Sequence, residues 1–531
     1  MSADRPRGRR TGVRVQVQPA RLSSRSIYSR NACRLSADEV RVWNERNRPL
    51  LSTYGLEVAS IKVLPLDLAP PRAGARTGLL QTDMKDRLLL TSMLGALAVS
   101  ISGRGDLLGL AAAERDRLKR AAKENNDRNS TAIMTEALHA LCGAHPASRL
   151  RIAIGEGARL KPGEKGGNPT LYAGQTLGSG DTCYSIAVDT VEGTTKSTLF
   201  DHSCGTLLFA TEASIAAVPD VYFDKCQIKG MTQVDVNDPL DRIVEAIMDV
   251  NRTQEINIFA LDRPRHPIER MLDLGANMRI DTDGDAYPVV AAGLAYGVYP
   301  DNLRPLDGVC GNIGGAAEMI ASAAGGYYLG VESTARFCAA KIKTWEDRYN
   351  FTPGEEESLR ARGFDPHRVY RIEELVPGLE SADGAFVAAA ISDNWHIPGL
   401  DACFVGANFA SVSALFVGSA GAADLYRVEF SYSMGLERTA EVITPVLTRI
   451  LGLPAADIRQ AVRDAVADPA RSGRLRHELA TTYYMHLRGV SDEQPDSGRL
   501  ALDLQAASPV ESIEAMEVLH AVVDAAPDWF C

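Results

Sequence analysis

Two segments of this sequence place acidic side chains and glycines directly after short apolar runs. Residues 186–196 read Ile-Ala-Val-Asp-Thr-Val-Glu-Gly-Thr-Thr-Lys, so a predicted strand delivers Asp189 and Glu192 to the turn at its carboxyl end. Residues 152–157, Ile-Ala-Ile-Gly-Glu-Gly, repeat the design with Glu156. Carboxylates at strand ends suit hard divalent cations, and glycines let a phosphate approach the backbone. The two segments therefore predict a site for metal and phosphate.

Two further acids have the same potential chemistry. Asp127 precedes a predicted helix at 132–141, and a glycine turn at 311–317 opens a small-residue helix with Glu318 in its first turn. The N–H groups at a helix start bind phosphate readily. Taken singly, each of these acids is more often a helix cap or a solvated side chain, so only their combination carries weight.

Basic and acidic residues also follow later predicted strands. The sequence Arg-Pro-Arg at 263–265 comes after a strand at 256–261, and two guanidinium groups there suit a bidentate grip on phosphate. Asp-Gly-Asp at 283–285 follows a strand that ends at Ile280. A tight turn with solvated charges is the alternative for both segments.

The bulk composition excludes several classes of protein. With 531 residues, 45% of them hydrophobic and 24% charged, the chain has the make-up of a soluble protein with two or three domains. A net charge of −11 argues against nucleic-acid and membrane partners. Nine cysteines without a C-x-x-C spacing indicate reduced thiols and a cytoplasmic location. No apolar run approaches the roughly 20 residues of a spanning helix.

Strand and helix patterns alternate along most of the chain, which favours an α/β architecture with layered sheets. Short strands are predicted at 256–261, 278–281 and 309–313, and a largely helical stretch at 82–139. Helices are also expected to begin after Ser36 and after Asp238, with Pro239 as the first helical residue. The predicted divisions are a disordered basic arm (1–35), an N-terminal extension (36–80), a metal-binding half (81–245), a substrate-binding half (246–430) and a helical C-terminal extension (431–531).

In their order along the chain, these segments resemble the class II fructose-1,6-bisphosphatases, within the wider superfamily of lithium-sensitive, metal-dependent sugar and inositol phosphatases. The resemblance covers roughly residues 80–430 and implies a layered α-β-α-β-α sandwich. The motifs that carry it are Ile-Gly-Glu-Gly (154–157), Val-Asp-x-x-Glu-Gly-Thr (188–194), Val-Pro-Asp-Val-Tyr-x-Asp-Lys (218–225), Arg-Pro-Arg-His (263–266), Asp-Gly-Asp (283–285) and Gly-Gly-Ala-Ala-Glu (314–318).

The resemblance implies a phosphatase that removes a phosphate from a sugar phosphate or bisphosphate with Mg²⁺ or Mn²⁺ as cofactor, and a homo-oligomer. The implied metal ligands are Asp127, Glu156, Asp189, Glu192 and Glu318. The implied catalytic residues are Asp189, Glu192 and Thr194. The implied substrate contacts are Glu192, Gly193, Thr194, Tyr222, Arg263, Pro264, Arg265, Asp283, Gly284, Asp285 and Gly315.

The chain departs from the family pattern at several places. Thr190 replaces a proline and is expected to loosen its turn, Ala158 replaces an acid and Ala317 replaces a proline. Residues 388–396 replace a Thr- and Gly-rich strand and turn. Two interpretations of Trp395 and His396 within them are open: both line a remodelled pocket, or Trp395 is packed and His396 lies on the surface. An altered substrate is therefore expected. The alternatives are a non-catalytic relative that binds a sugar phosphate, and a metal-dependent transferase acting on a phosphorylated sugar.

Overall fold

The computed structural model describes residues 32–66, 82–155, 170–216, 223–230, 233–262, 268–295, 304–314, 320–321, 330–337, 353–405, 409–419, 423–432, 454 and 456, apart from single positions within these ranges. The strands are β1 (Cys33–Arg34), β2 (Leu56–Leu66), β3 (Ser148–Ile154), β4 (Thr176–Leu177), β5 (Thr182–Glu192), β6 (Gly205–Thr211), β7 (Phe223–Lys229), β8 (Asn257–Leu261), β9 (Asn277–Asp281), β10 (Gly308–Gly314), β11 (Val331–Phe337), β12 (Val369–Arg371), β13 (Gly384–Ala390), β14 (Phe404–Val405), β15 (Phe409–Gly418) and β16 (Ala423–Tyr432). The helices are α1 (Ala37–Thr53), α2 (Thr82–Ser102), α3 (Ala112–Ala144), α4 (Thr194–Leu199), α5 (Leu240–Asn251), α6 (Ile268–Asp273), α7 (Ala286–Leu294), α8 (Pro353–Ala361) and α9 (Ile372–Leu375).

The strands form two sheets. Within the described residues the first sheet has ten strands in the order β1-β2-β16-β15-β13-β6-β5-β3-β4, with β14 beside β15. Its only parallel pair there is β3 with β5. The second sheet has six described strands in the order β12-β11-β7-β10-β8-β9, and β8 runs parallel to both of its neighbours. The chain changes sheet between β6 and β7 and returns between β12 and β13, so the sheet boundary does not coincide with the predicted division at residue 245.

Alternate residues of the central strands point to different cores, as the period of a strand requires. Val188 of β5 faces helices α2 and α3 and packs with Met93 and Leu138. Its neighbour Ala187 faces the second sheet, in a core that includes Tyr287 of α7. A third core fills the outer face of the second sheet, where α5 and α6 pack. The layers therefore alternate as helix, sheet, helix, sheet, helix, and the predicted sandwich is confirmed.

The N-terminal extension is built into the first sheet. Strand β2 pairs antiparallel with β16, and α1 begins after Ser36 as predicted. Ser36 and Glu39 form a reciprocal capping box, in which the Glu39 carboxylate accepts from Ser36 N at 2.7 Å. The helix after Asp238 starts one residue later than predicted, since Pro239 is its N-cap.

Most of the predicted basic arm and nearly all of the predicted C-terminal helical extension lie outside the described residues. Strand β16 runs on to Tyr432. Among the described helices, none combines the length and the apolar composition that crossing a membrane would require.

Candidate active site

The carboxyl end of β5 carries the two acids that the sequence singles out. Asp189 and Glu192 are 8% and 4% exposed. Between them the pairing with β6 shifts register, and such a bulge re-aims the side chains that follow it. The Asp189 carboxylate accepts a hydrogen bond from Val191 N at 2.9 Å, which fixes its orientation inside the turn.

Gly193 and Thr194 turn the chain from β5 into α4. Gly193 has a φ of +74°, in the left-handed region that favours glycine, and α4 begins at the next residue. The Thr194 hydroxyl donates to the Val191 carbonyl at 3.0 Å. Its oxygen lone pairs therefore remain available as acceptors.

Helix α3 brings Asp127 toward the same strand end. The prediction that Asp127 precedes its helix is wrong: it lies inside α3, because the charged residues before it form the exposed first half of that helix. Ser130 and Thr131, three and four residues on, share its face and bond to Thr190 at 2.7 and 3.0 Å. Thr190 is fully buried, and these two bonds tie the residue that replaces the proline to α3.

The 283–285 segment reaches the turn after β5 from the second sheet. The Glu192 carboxylate accepts from Ala286 N, the first residue of α7, at 3.0 Å. Gly284 has a φ of +73°, and a Cβ there would lie 3.2 Å from Glu192 Oε1 and 3.7 Å from the Cα of Gly193. Because no larger side chain fits easily between the two turns, they meet through glycine.

Within this segment the two aspartates differ. Asp283 is half-buried, whereas Asp285 and its partner Lys225 are both fully buried. Lys225 Nζ lies 3.1 Å from Asp285 Oδ2. The carboxylate of Asp285 therefore faces a lysine of β7 inside the protein, and Asp283 is the more accessible of the pair.

A second buried ion pair, which the sequence analysis missed, lies beside this loop. Lys196 of α4 is bonded to Asp281 at the end of β9, and both side chains are almost completely buried. His202 Nε2 lies 2.9 Å from Asp281 Oδ2 and its Nδ1 lies 2.6 Å from Asp201 Oδ1. Burial alone would raise the pKa of Asp281, but the hydrogen bond from His202 and the charge of Lys196 hold that pKa at about 2. The partners are separated by about 80 residues, so only the fold reveals them.

Residues 391–396 pack against the loop that contains His202. Ser203 N donates to the Asp393 carbonyl at 2.7 Å, and the Trp395 ring lies edge-on to His202. The prediction of a surface His396 is wrong, since its side chain is buried against Phe259. Burial lowers the pKa of His396 to about 3 because the charged imidazolium would lose its hydration.

Comparisons with known protein sequences identify the family of this chain. The sequence profile of the bacterial fructose-1,6-bisphosphatases encoded by glpX matches residues 110–420, more than half of the chain. The chain belongs to this family. It is 30% identical over 285 residues to the fructose-1,6-bisphosphatase 2 class 2 of Escherichia coli strain K12, covering 52% of this chain and 82% of that protein. It is 27% identical over 295 residues to the D-fructose 1,6-bisphosphatase class 2/sedoheptulose 1,7-bisphosphatase of Synechococcus sp. strain JA-3-3Ab, covering 51% and 79%.

These named class II fructose-1,6-bisphosphatases are phosphoric monoester hydrolases, and the class in general depends on a divalent metal. The described part of this site fits such a metal chemically. Asp127, Asp189 and Glu192 offer buried carboxylate oxygens, the ligands that hard divalent cations prefer. Within the described ranges, however, no three His, Cys, Asp or Glu residues gather into a complete metal site.

The remaining residues of the predicted site lie outside the described residues, namely Glu156, Tyr222, Arg263, Pro264, Arg265, Gly315 and Glu318. The strands that lead to them are described. Strand β3 runs parallel to β5 and ends at Ile154, which lies opposite Ala187, so the chain leaves both strands at the same edge. Strand β8 likewise ends at Leu261 beside the end of β9.

Proposed function

We propose that this class II fructose-1,6-bisphosphatase relative hydrolyses one phosphate ester of a sugar bisphosphate with Mg²⁺ or Mn²⁺. The observation that carries the proposal is the meeting of the turn after β5 with the 283–285 segment, joined by the hydrogen bond from Ala286 N to Glu192. A metal-binding turn and a sugar-binding loop from different sheets thereby share one site. The names of the relatives favour fructose 1,6-bisphosphate and sedoheptulose 1,7-bisphosphate as substrates.

Asp127, Asp189 and Glu192, together with Glu156 and Glu318, would hold the metal. When bound, divalent metal supplies activation of water and stabilisation of charge on the phosphate oxygens. Several carboxylates serve this role better than one, because a lone acid cannot balance the charge of two cations. The wider superfamily placement stays a prediction.

Thr194 and Asp283 would act on the water and the sugar. The Thr194 hydroxyl already donates to Val191 O, so its oxygen is placed to accept a hydrogen bond from the attacking water and to orient it. The half-exposed carboxylate of Asp283 suits the sugar hydroxyls. Arg263 and Arg265, with Tyr222 and Gly315, would bind the phosphate that does not react, while Pro264 would fix the turn between the two arginines.

Replacement of Asp189 by Asn tests the proposal. Loss of a group that only orients a metal ligand typically costs 10–100-fold, so loss of a ligand should lower metal-dependent phosphate release by about 100-fold or more. Phosphate release from hexose, heptose, pentulose and inositol phosphates is measured with and without Mn²⁺. Asp181→Asn, at an exposed position before β5, is the matched control and should keep wild-type activity.

Unchanged release by the Asp189→Asn protein would refute the assignment. A wild-type protein that binds sugar phosphates but releases no phosphate from the whole panel would favour the non-catalytic alternative. Phosphorus NMR of the products separates hydrolysis from transfer, because transfer yields a new phosphate ester in place of inorganic phosphate.

We also infer a cytoplasmic homo-oligomer. The seven described cysteines are all free thiols, which suits a reducing compartment. Light scattering of the purified protein tests the oligomer, and a monomeric mass at micromolar concentration would refute it.

A further inference from the structure

We propose that Lys196 and His202 act as positioning residues for the loop between Asp281 and Ala286, and thereby set the affinity for the sugar phosphate. The inference rests on the proposed function, because it treats this loop as the sugar-binding element. It assigns a role to two residues that have none in the proposed function, although Lys196 ends the 186–196 segment.

The first step is that both residues hold the same carboxylate. Lys196 belongs to α4 and His202 to the loop that follows it, and both reach Asp281 in the second sheet. Asp281 in turn accepts from Thr282 N at 2.6 Å, which fixes the first peptide of the loop. The contact therefore joins the element after β5 directly to the start of the sugar-binding loop.

The second step is that the loop is held at its other end by different groups. Asp285 is paired with Lys225 of β7, and Ala286 N donates to Glu192. Between the two ends lie Asp283 and Gly284. The backbone of Asp281 stays paired with β8, so loss of the contacts with Lys196 and His202 would loosen the loop only beyond Asp281. Asp283 is two residues from that point.

The third step is that Lys196 and His202 are themselves held in place. The aliphatic stem of Lys196 passes close to Gly193, since a Cβ at Gly193 would lie 3.4 Å from its Cδ. His202 is enclosed by Asp201 on one side and by the ring of Trp395 on another. Both side chains are thus supported by the site and by the segment that departs from the family pattern.

Four variants test the proposal. Lys196→Met keeps an apolar stem and removes the amine, and His202→Phe keeps a ring without a donor. His202→Gln retains an amide N–H that can donate to Asp281. Lys85→Met is the matched control, because it breaks a partly buried ion pair of 3.2 Å with Asp424 in the first turn of α2. The other end of α2, about 25 Å along the helix, leads to Gly105, whose N–H donates to Ser197 O of α4 at 2.8 Å.

With fructose 1,6-bisphosphate and Mn²⁺, Lys196→Met and His202→Phe should raise KM about tenfold and leave kcat within about threefold. His202→Gln should recover most of the wild-type KM, and Lys85→Met should change neither constant. An unchanged KM in the first two variants would overturn the proposal. So would an equal change in Lys85→Met, because the effect would then be general destabilisation.

Hydrogen–deuterium exchange gives a readout that does not depend on activity. The backbone amides of residues 282–286 should exchange about tenfold faster in Lys196→Met than in Lys85→Met, because the loop opens more often. Equal exchange in the two variants would overturn the proposal. If the wild-type protein hydrolyses no sugar bisphosphate, the proposed function fails. Whether the two residues position the loop is then decided by the exchange rates in Lys196→Met and Lys85→Met, together with calorimetric measurement of fructose 1,6-bisphosphate binding to these variants.

Discussion

The two loops that meet at the candidate site hold their carboxylates in different ways. At the carboxyl end of β5, Asp189 and Glu192 accept hydrogen bonds from backbone N–H groups. In the loop after β9, Asp281 and Asp285 are each paired with a buried lysine. A backbone N–H orients a carboxylate but leaves its full negative charge, whereas a lysine neutralises it. The first arrangement suits acids that bind a cation, and the second suits acids that hold the loop in place.

Removal of a buried lysine should have the largest effect among the tests of this difference between the two loops. Lys225→Met leaves the carboxylate of Asp285 fully buried without its cation. Loss of one partner of a buried pair costs about 3–5 kcal/mol, so the free energy of unfolding should fall by that amount. Urea denaturation followed by circular dichroism measures it.

The double variant Lys225→Met/Asp285→Asn supplies the control for this experiment. It removes both charges, and most of the lost stability should return because no uncompensated carboxylate remains. A single variant as stable as the wild type would show that the buried lysine does not balance Asp285, and the distinction between the two loops would then fail.

Glu192→Gln tests whether the charge of an acid at the end of β5 serves metal binding and not stability. Glutamine keeps a side-chain oxygen that can accept from Ala286 N but loses the charge. Stability should therefore change by less than about 1 kcal/mol, while metal-dependent phosphate release falls by about 100-fold or more. Release within tenfold of the wild type would contradict a metal-binding role for Glu192. A large loss of stability would show that its charge is structural, like that of Asp285.

The parts of the site that the sequence predicts are those that depend on residues adjacent to one another in the chain. An apolar run that ends in acids and glycine specifies a buried strand followed by a left-handed turn, and Gly193 has the φ that this turn needs. The Asp-Gly-Asp segment is predictable for the same reason, since Gly284 also has a positive φ. Strand and helix periods predict an α/β fold with layered sheets, whereas the order of the layers is implied by the resemblance to the family.

What the sequence does not reveal depends on contacts between distant segments. The pairing of Lys196 with Asp281 joins helix α4, which follows a strand of the first sheet, to the end of β9 in the second sheet, and no spacing in the sequence encodes it. The sequence predicts Asp127 before a helix because the exposed first half of α3 is rich in charge and lacks an apolar period. Nothing in the sequence near His396 indicates burial, because the ring that covers it belongs to the distant residue Phe259.

The acid stability of the loop after β9 is the smallest expected effect. The pKa of Asp281 is lowered from its usual value to about 2, so the folded state binds this proton less tightly than the unfolded state. The pair therefore contributes its full stability above about pH 4 and loses it as the pH falls towards 2, a difference of about 2 kcal/mol. Asp281→Asn cannot titrate at this position, so the wild-type protein should lose about 2 kcal/mol more than the variant between pH 4 and pH 2 in urea unfolding curves. Parallel losses would mean that Asp281 has an ordinary pKa, and that Lys196 and His202 do not stabilise its charge.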